Sequence, residues 1–174
     1  MTRIIAGSRK GHRLRTPAHS ATRPTTDRVR EAAFSLIADW AGNAGAPAEE
    51  MLAGLSFIDL FAGSGAVALE AASRGAAPVV AVESDQATAR IARGNALDIR
   101  LTVTVLAATV ERTLAGDRLA PVLAAAAERW VAADGLLVLE RASRDEPPVW
   151  PAGVTDSWER RYGETTLYLG TKGR

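Results

Sequence analysis

Apolar positions along the 174 residues change their period twice. Between 27 and 41, Val29, Ala33, Leu36, Ile37 and Trp40 recur at helical spacing. That predicts an amphipathic helix with those five side chains as its buried stripe. Thr25 or Thr26 can cap its start. From 55 onward short apolar runs alternate with helical stretches. The pattern predicts strands at 56–60, 79–83, 101–106 and 136–140, and helices at 66–74, 86–99 and 118–132. Gly75 reads as a C-cap, Asp117 as an N-cap, and Pro121 fits near a helix start. The run Val79-Val80-Ala81-Val82-Glu83 is continuously apolar until its last residue, as expected of a parallel strand buried on both faces. Segments 155–162 and 164–170 flank Gly163 and read as a hairpin. Segments 3–6 and 12–15, with Gly7 and Gly11 between them, read as a small hairpin or ribbon. The alternation as a whole implies an α/β protein with a mostly parallel sheet covered on both faces.

Residues 42–54 carry Gly42, Asn43, Gly45 and Pro47 and read as a linker. They divide an N-terminal extension, 1–45, from a body, 46–174.

Composition adds two constraints. There is no cysteine, which excludes disulfides, thiolate metal sites and cysteine nucleophiles. No stretch of the chain is long and apolar enough to span a membrane, and its basic start lacks the apolar core of a secretory signal. A cytoplasmic protein is the expectation. His12 and His19 sit in the basic stretch and read as exposed loop residues; no metal site is expected.

Charge changes the picture more. The net charge of +1 hides an asymmetry. Residues 1–30 hold eight bases (Arg3, Arg9, Lys10, Arg13, Arg15, Arg23, Arg28, Arg30) against Asp27 alone, a net of +7. The remaining 144 residues carry 13 bases and 19 acids, a net of −6. A basic arm on an acidic body suits a polyanion such as nucleic acid. Ile4, Ile5 and Leu14, interleaved with the bases, imply an ordered arm rather than a solvated tail.

The chemistry concentrates at Asp59-Leu60-Phe61-Ala62-Gly63-Ser64-Gly65, between a predicted strand and a predicted helix. Glycines there let backbone approach a nucleotide-like ligand closely. Gly63, Gly65 and Ala68 satisfy G-x-G-x-x-A, and Glu83 follows 18 residues after Gly65, so a nicotinamide oxidoreductase fits the spacing. Asp59 shifts the balance. A pyrophosphate wants bare N–H groups at a helix start, and a carboxylate there repels it. S-adenosylmethionine carries an ammonium and a sulfonium, which a carboxylate suits. Glu83 can bind ribose hydroxyls in either case. Thr109 and Val110 follow the third strand of the body, where a hydroxyl or backbone N–H can meet an adenine edge.

Three stretches resemble one bacterial family, the RsmD-type 16S rRNA guanine-N2 methyltransferases. They are Arg3-Ile4-Ile5-Ala6-Gly7, Arg23-Pro24-Thr25-Thr26-Asp27-Arg28-Val29-Arg30-Glu31, and the glycine turn followed by Leu69-Glu70-Ala71. The 23–31 run discriminates best, since many methyltransferases share the turn. The resemblance implies a Rossmann-like domain with a seven-stranded sheet, one strand antiparallel, S-adenosylmethionine as cofactor, and an extension that helps hold rRNA. It implies that Asp59, Gly63 and Gly65 line the methionine end, with Phe61 and Ser84 also among the cofactor-binding residues. Glu83 would hold the ribose, and Thr109 and Val110 would lie near the adenine. The 23–31 run would close over cofactor and target guanine, with the arm's bases on phosphates. The implied partner is 16S rRNA, within a partly assembled small subunit, and the chain is expected to be a monomer.

One departure is plain. The family carries Asn/Asp-Pro-Pro-Tyr/Phe after the fourth strand, where it orients the guanine amine and stacks on the base. The one Pro-Pro here is in Asp145-Glu146-Pro147-Pro148, with Val149 in the aromatic position. Ten residues separate Leu106 from Asp117. They cannot supply a helix, the central fourth strand and the tetrad. The expectation is that a segment of roughly twenty residues belongs between Gly116 and Asp117, enough for a short helix and a strand. The catalytic residues are therefore not assigned. Three alternatives stand: a non-catalytic relative that binds cofactor or RNA, a nicotinamide oxidoreductase, and a methyltransferase acting on DNA.

Overall fold

The computed structural model describes residues 2–17, 26–109, 124, 126–128 and 131–173. The chain divides into two compact units, 1–110 and 111–174.

The first unit begins with a two-stranded antiparallel ribbon, β1 (Thr2–Arg3) and β2 (Arg13–Leu14), in which Thr2 faces Leu14. Helix α1 (Asp27–Trp40) follows, capped by the Thr26 hydroxyl, which accepts from the Val29 N–H at 3.3 Å. A parallel sheet of β3 (Phe57–Asp59), β4 (Val79–Glu83) and β5 (Thr104–Ala107) comes next, in the spatial order β3-β4-β5. Its crossovers are α2 (Ala66–Ser73) and α3 (Gln86–Asp98). Asp85 caps α3, accepting from the Thr88 N–H at 2.7 Å. Small residues let the helices lie close to the sheet: Ala68, Ala71, Ala81, Ala89 and Ala92 are all buried.

The buried face of α1 differs from the predicted stripe. Val29 and Ile37 are buried as expected, but Phe34, Ala38 and Arg30 join them, while Leu36 and Trp40 are only half-buried. The face is turned because Phe34 packs on Phe57, ring centroids 5.9 Å apart, and lies under the Arg74 guanidinium at 4.9 Å.

The basic arm is ordered by a clasp that accounts for the Ile4-Ile5-Ala6-Gly7 pattern. Ile4 and Leu14 are buried with Leu69, Ala96 and Ile99. The Ile5 and Ala6 N–H groups donate to the two carboxylate oxygens of Glu70, at 2.7 and 2.9 Å. Glu70 is fully buried on α2 and also accepts from Arg74 Nε at 2.9 Å. The Ser73 hydroxyl donates to the Ala6 carbonyl, and the Ser8 N–H donates to the Ser73 carbonyl, both at 2.7 Å. Gly7 passes so near that a Cβ there would lie 1.9 Å from the Ser73 oxygen.

The second unit is an antiparallel sheet of β6 (Leu136–Ala142), β7 (Val154–Tyr162) and β8 (Thr165–Lys172), in the order β6-β8-β7. Gly163, at φ +63°, makes the tight turn of the predicted hairpin. Positions 124 and 126–128 are helical, within the predicted 118–132 helix. Asp117, Pro121 and the Gly116–Asp117 junction lie outside the described residues. The strands form a ribbon and two three-stranded sheets, and β3 is an edge strand among the described residues.

Candidate functional site

The strand end, the glycine turn and the start of α2 form one connected piece. Asp59 is the last residue of β3. Its carboxylate accepts backbone hydrogen bonds from Phe61 and Ala68. The second of these satisfies a donor at the N-terminus of α2, a helix whose N-cap, Gly65, offers no side chain. One oxygen, Oδ2, is buried and has no hydrogen-bond partner. Burial raises the carboxyl from 3.8 to about 6; the two backbone bonds oppose the rise and the charge of Glu83 adds to it.

Across the turn, Glu83 ends β4. It accepts from the Gly63 N–H at 2.8 Å, the Asp85 N–H at 2.9 Å and, more weakly, the Ser84 hydroxyl at 3.3 Å. The turn is drawn together by Ala62 N–H to the Val82 carbonyl at 3.0 Å and Gly65 N–H to the Ala62 carbonyl at 2.7 Å. Gly63 and Gly65 both have positive φ, +52° and +84°. A Cβ on Gly65 would meet Ala92 at 3.3 Å, whereas one on Gly63 would meet nothing within 4 Å. Gly65 therefore permits close helix packing, and Gly63 borders open space. The Phe61 side chain is 71% exposed beside that space.

An acceptor buried without a donor, an open glycine backbone and a second carboxylate at the next strand end fit a ligand with an ammonium near one end and a vicinal diol further along. A pyrophosphate does not fit, because the unpartnered Oδ2 would face its negative charge.

The structure brings Asp59, Phe61, Gly63, Gly65, Glu83 and Ser84 together at the carboxyl ends of β3 and β4. Thr109 is half-buried just after β5. Val110 lies outside the described residues.

The basic residues separate into classes. Lys10, Arg13 and Arg28 are exposed. Arg3 and Arg15 are exposed too, with Asp27 at 3.7 Å from Arg3 and Asp98 paired to Arg15. Arg9 is half-buried and its Nε donates to the Ile99 carbonyl at 2.7 Å, at the C-cap of α3. Arg30 corrects the expectation of a phosphate contact. Its side chain is 2% exposed and donates to the Arg3 carbonyl at 2.6 Å and Asp27 at 3.0 Å, with Glu70 at 4.0 Å. A guanidinium buried that way braces α1 against the arm and is out of reach of a phosphate, though its Nε has no hydrogen-bond partner. Arg23 lies outside the described residues.

Sequence reasoning gave no role to four residues: Glu70, Ser73, Arg74 and Asn95. Glu70 carried a signal, as the one charged residue in the Ala66–Ser73 helix. Asn95 carried none, since an Asn within a polar helix stretch looks solvated. The Pro147-Pro148 pair sits in the loop after β6, and with Trp150, Trp158 and Tyr168 it lines a cavity of about 330 Å³ inside the second unit.

Comparison with known proteins bears on both units. A family model described as conserved hypothetical protein 95 matches residues 2–122. A Bacillus subtilis protein provisionally named rRNA methyltransferase YlbH is 37% identical over 100 residues, 58% of this chain and 48% of that one. The ribosomal RNA small subunit methyltransferase D of Escherichia coli strain K12 is 40% identical over 88 residues, 51% of this chain and 39% of that one. The chain thus spans about half the length, or less, of these curated relatives. Among solved structures, an Escherichia coli protein provisionally named methyltransferase yhhF superposes with a TM-score of 0.81 at 26% identity, covering 99% of this chain and 98% of that one. The fold is accordingly Rossmann-like α/β.

Proposed function

The chain belongs to the conserved hypothetical protein 95 family, the RsmD-type family, and on that premise we propose that it is an S-adenosylmethionine-dependent methyltransferase acting on the exocyclic N2 amine of a guanine in small-subunit rRNA. The observation that carries the reading is the buried Oδ2 of Asp59, left without a hydrogen-bond partner at the strand end that leads into the glycine turn. The names of the relatives, two of them rRNA methyltransferases, support the substrate class.

In this reading Asp59 accepts from the cofactor ammonium. Its carboxyl, at about 6, is ionised at neutral pH and gains a partner there. The oxygens of Glu83 retain lone pairs for the ribose hydroxyls beside the N–H groups they already accept. Phe61 and Ser84 flank the turn, Thr109 follows β5 on the adenine side, and Val110 is assigned to the adenine from the sequence alone. Bound there, the cofactor supplies an electrophilic methyl on its sulfonium. Lys10, Arg13 and Arg28, with Arg3 and Arg15, draw the RNA backbone in and give salt-dependent affinity that is largely blind to sequence. Specificity comes from RNA shape, as in a partly assembled subunit. The target base has to leave its stack to reach the cofactor. The division of labour runs near 45/46, between an RNA-holding extension and the catalytic body, in a protein acting as a monomer in the cytoplasm. Among the described residues no helix is long and apolar enough to cross a membrane.

The tetrad that would orient the amine is not in the 174 residues, and β3, which the fourth strand should flank, has an unpaired edge among the described residues. The first point supports a segment belonging between Gly116 and Asp117 that carries the fourth strand and the catalytic machinery. An intact mass above the 18.3 kDa of the 174 residues is the expected result. A mass matching them favours the second reading, a relative that binds cofactor and RNA without transferring the methyl. Calorimetric titration tests the shared premise: S-adenosylmethionine should bind and NADH should not, and the reverse would replace this reading with a nicotinamide oxidoreductase.

A further inference from the structure

We propose that Asn95 is a positioning residue that locks the glycine turn to the basic arm, so that cofactor affinity depends on the arm being docked. The inference rests on the cofactor reading above and goes beyond it.

Asn95 lies on α3 and is 2% exposed. Its amide makes three hydrogen bonds, each 2.9 Å long. Nδ2 donates to the Ser64 carbonyl and to the Arg15 carbonyl, and Oδ1 accepts from the Arg15 N–H. Both amide protons and the oxygen are used; the two carbonyls at one end and the Arg15 N–H at the other fix which end is nitrogen. Ser64 stands between Gly63 and Gly65, both at positive φ. Peptides flanked by glycines turn easily. Aiming the Ser64 carbonyl at α3 sets the orientation of the Ser64–Gly65 peptide, whose N–H then closes the turn on Ala62. The cofactor thus meets a turn held in one shape by Asn95.

The same side chain holds Arg15 by its backbone, as a strand neighbour would. Two further contacts keep that point of the arm in place: Leu14 is buried in the apolar cluster, and the Arg15 guanidinium pairs with Asp98, one turn on from Asn95. One buried amide is therefore shared between the residue that starts the path toward 18–25 and the residue at the centre of the cofactor turn. Ordering either contact lowers the cost of ordering the other. By reciprocity the arm gains from the cofactor what the cofactor gains from the arm.

The test measures amide hydrogen exchange of the full chain with and without S-adenosylmethionine, and cofactor affinity by calorimetry. In the unsubstituted protein the cofactor should slow exchange in 60–66 and also in 12–17. In Asn95→Ala the cofactor should bind about fivefold to tenfold more weakly, the worth of one net hydrogen bond, and the slowing should be confined to the turn. Asn95→Asp keeps the volume and the acceptor for Arg15 but sets carboxylate oxygen against two carbonyls, and it should lose affinity as well. Cofactor binding with no response at 12–17 in the unsubstituted protein overturns the inference alone, whether or not either variant folds. Unchanged affinity in both variants overturns it too. No binding by the unsubstituted protein overturns the cofactor reading, and this inference with it.

Discussion

Replacing Asp59 by Asn should make the ligand-free protein more stable and its cofactor site worse. The carboxyl is raised from 3.8 to about 6 in the folded protein, chiefly by burial. An acid with a raised folded pKa holds its proton more tightly in the native state than in the unfolded one. Stability therefore falls as pH rises from about 4 to about 6, then stays at the lower level. A rise of about two units corresponds to roughly 3 kcal/mol carried as a burden at neutral pH. Asn removes the charge and keeps the shape. Its oxygen can still accept from Phe61 and Ala68, while its NH₂ takes the place of the unpartnered Oδ2. The NH₂ gains no acceptor there, so part of the benefit is lost. An increase of about 1–3 kcal/mol near pH 8, and none near pH 4, is the expected result from urea denaturation. The same proton is linked to cofactor binding. Affinity of the unsubstituted protein should fall about tenfold for each pH unit below about 6, and Asp59→Asn should bind more than tenfold more weakly near pH 8 with no such fall. A variant less stable than its parent near pH 8, or equally stabilised at both pH values, would refute the electrostatic reasoning.

Three further outcomes follow from the clasp and the arm. Glu70→Gln takes the 2.9 Å carboxylate from the buried Arg74, which keeps Glu31 at 2.8 Å, and turns an amide NH₂ toward one of the N–H donors of Ile5 and Ala6; it should cost about 1–3 kcal/mol in denaturant unfolding, and a loss below about 0.5 kcal/mol would place Glu70 outside the core network. Gly7→Ala puts a Cβ 1.9 Å from the Ser73 oxygen at φ +81°, so it should destabilise by about 2 kcal/mol or more; faster exchange at Ile5 and Ala6 would show that the arm has come away. Lys10→Glu with Arg13→Glu should weaken RNA binding and reduce the salt slope by about 2 while leaving cofactor affinity unchanged; an equal loss of both would point to misfolding.

The parts of the fold that could be read from the sequence are those fixed by neighbours in the chain. Val79–Glu83 lies where an uninterrupted apolar run put it, and Val154–Tyr162 and Thr165–Lys172 pair about Gly163 as the turn signal required. The glycine turn and its two acids were legible because a turn between strand and helix needs those residue types within a few positions. What escaped was set by distant partners. Arg30 looks like any base on a helix until Asp27, the Arg3 carbonyl and Glu70 surround it. The turned face of α1 depends on Phe57 and Arg74, which periodicity within α1 cannot report. Asn95 bonds to residues 80 and 31 positions away, and nothing local marks it. The Arg-Ile-Ile-Ala-Gly pattern was recognisable as a pattern, but its reason, two N–H groups on Glu70 and a glycine against Ser73, appears only once α2 lies beside it.

Methyl transfer itself is read by incubating the purified protein with methyl-tritiated S-adenosylmethionine and partly assembled small ribosomal subunits, then digesting the rRNA to nucleosides. Label is expected in N2-methylguanosine, and none with Asp59→Ala. Label absent from the RNA while the cofactor binds in a parallel titration would contradict methyl transfer.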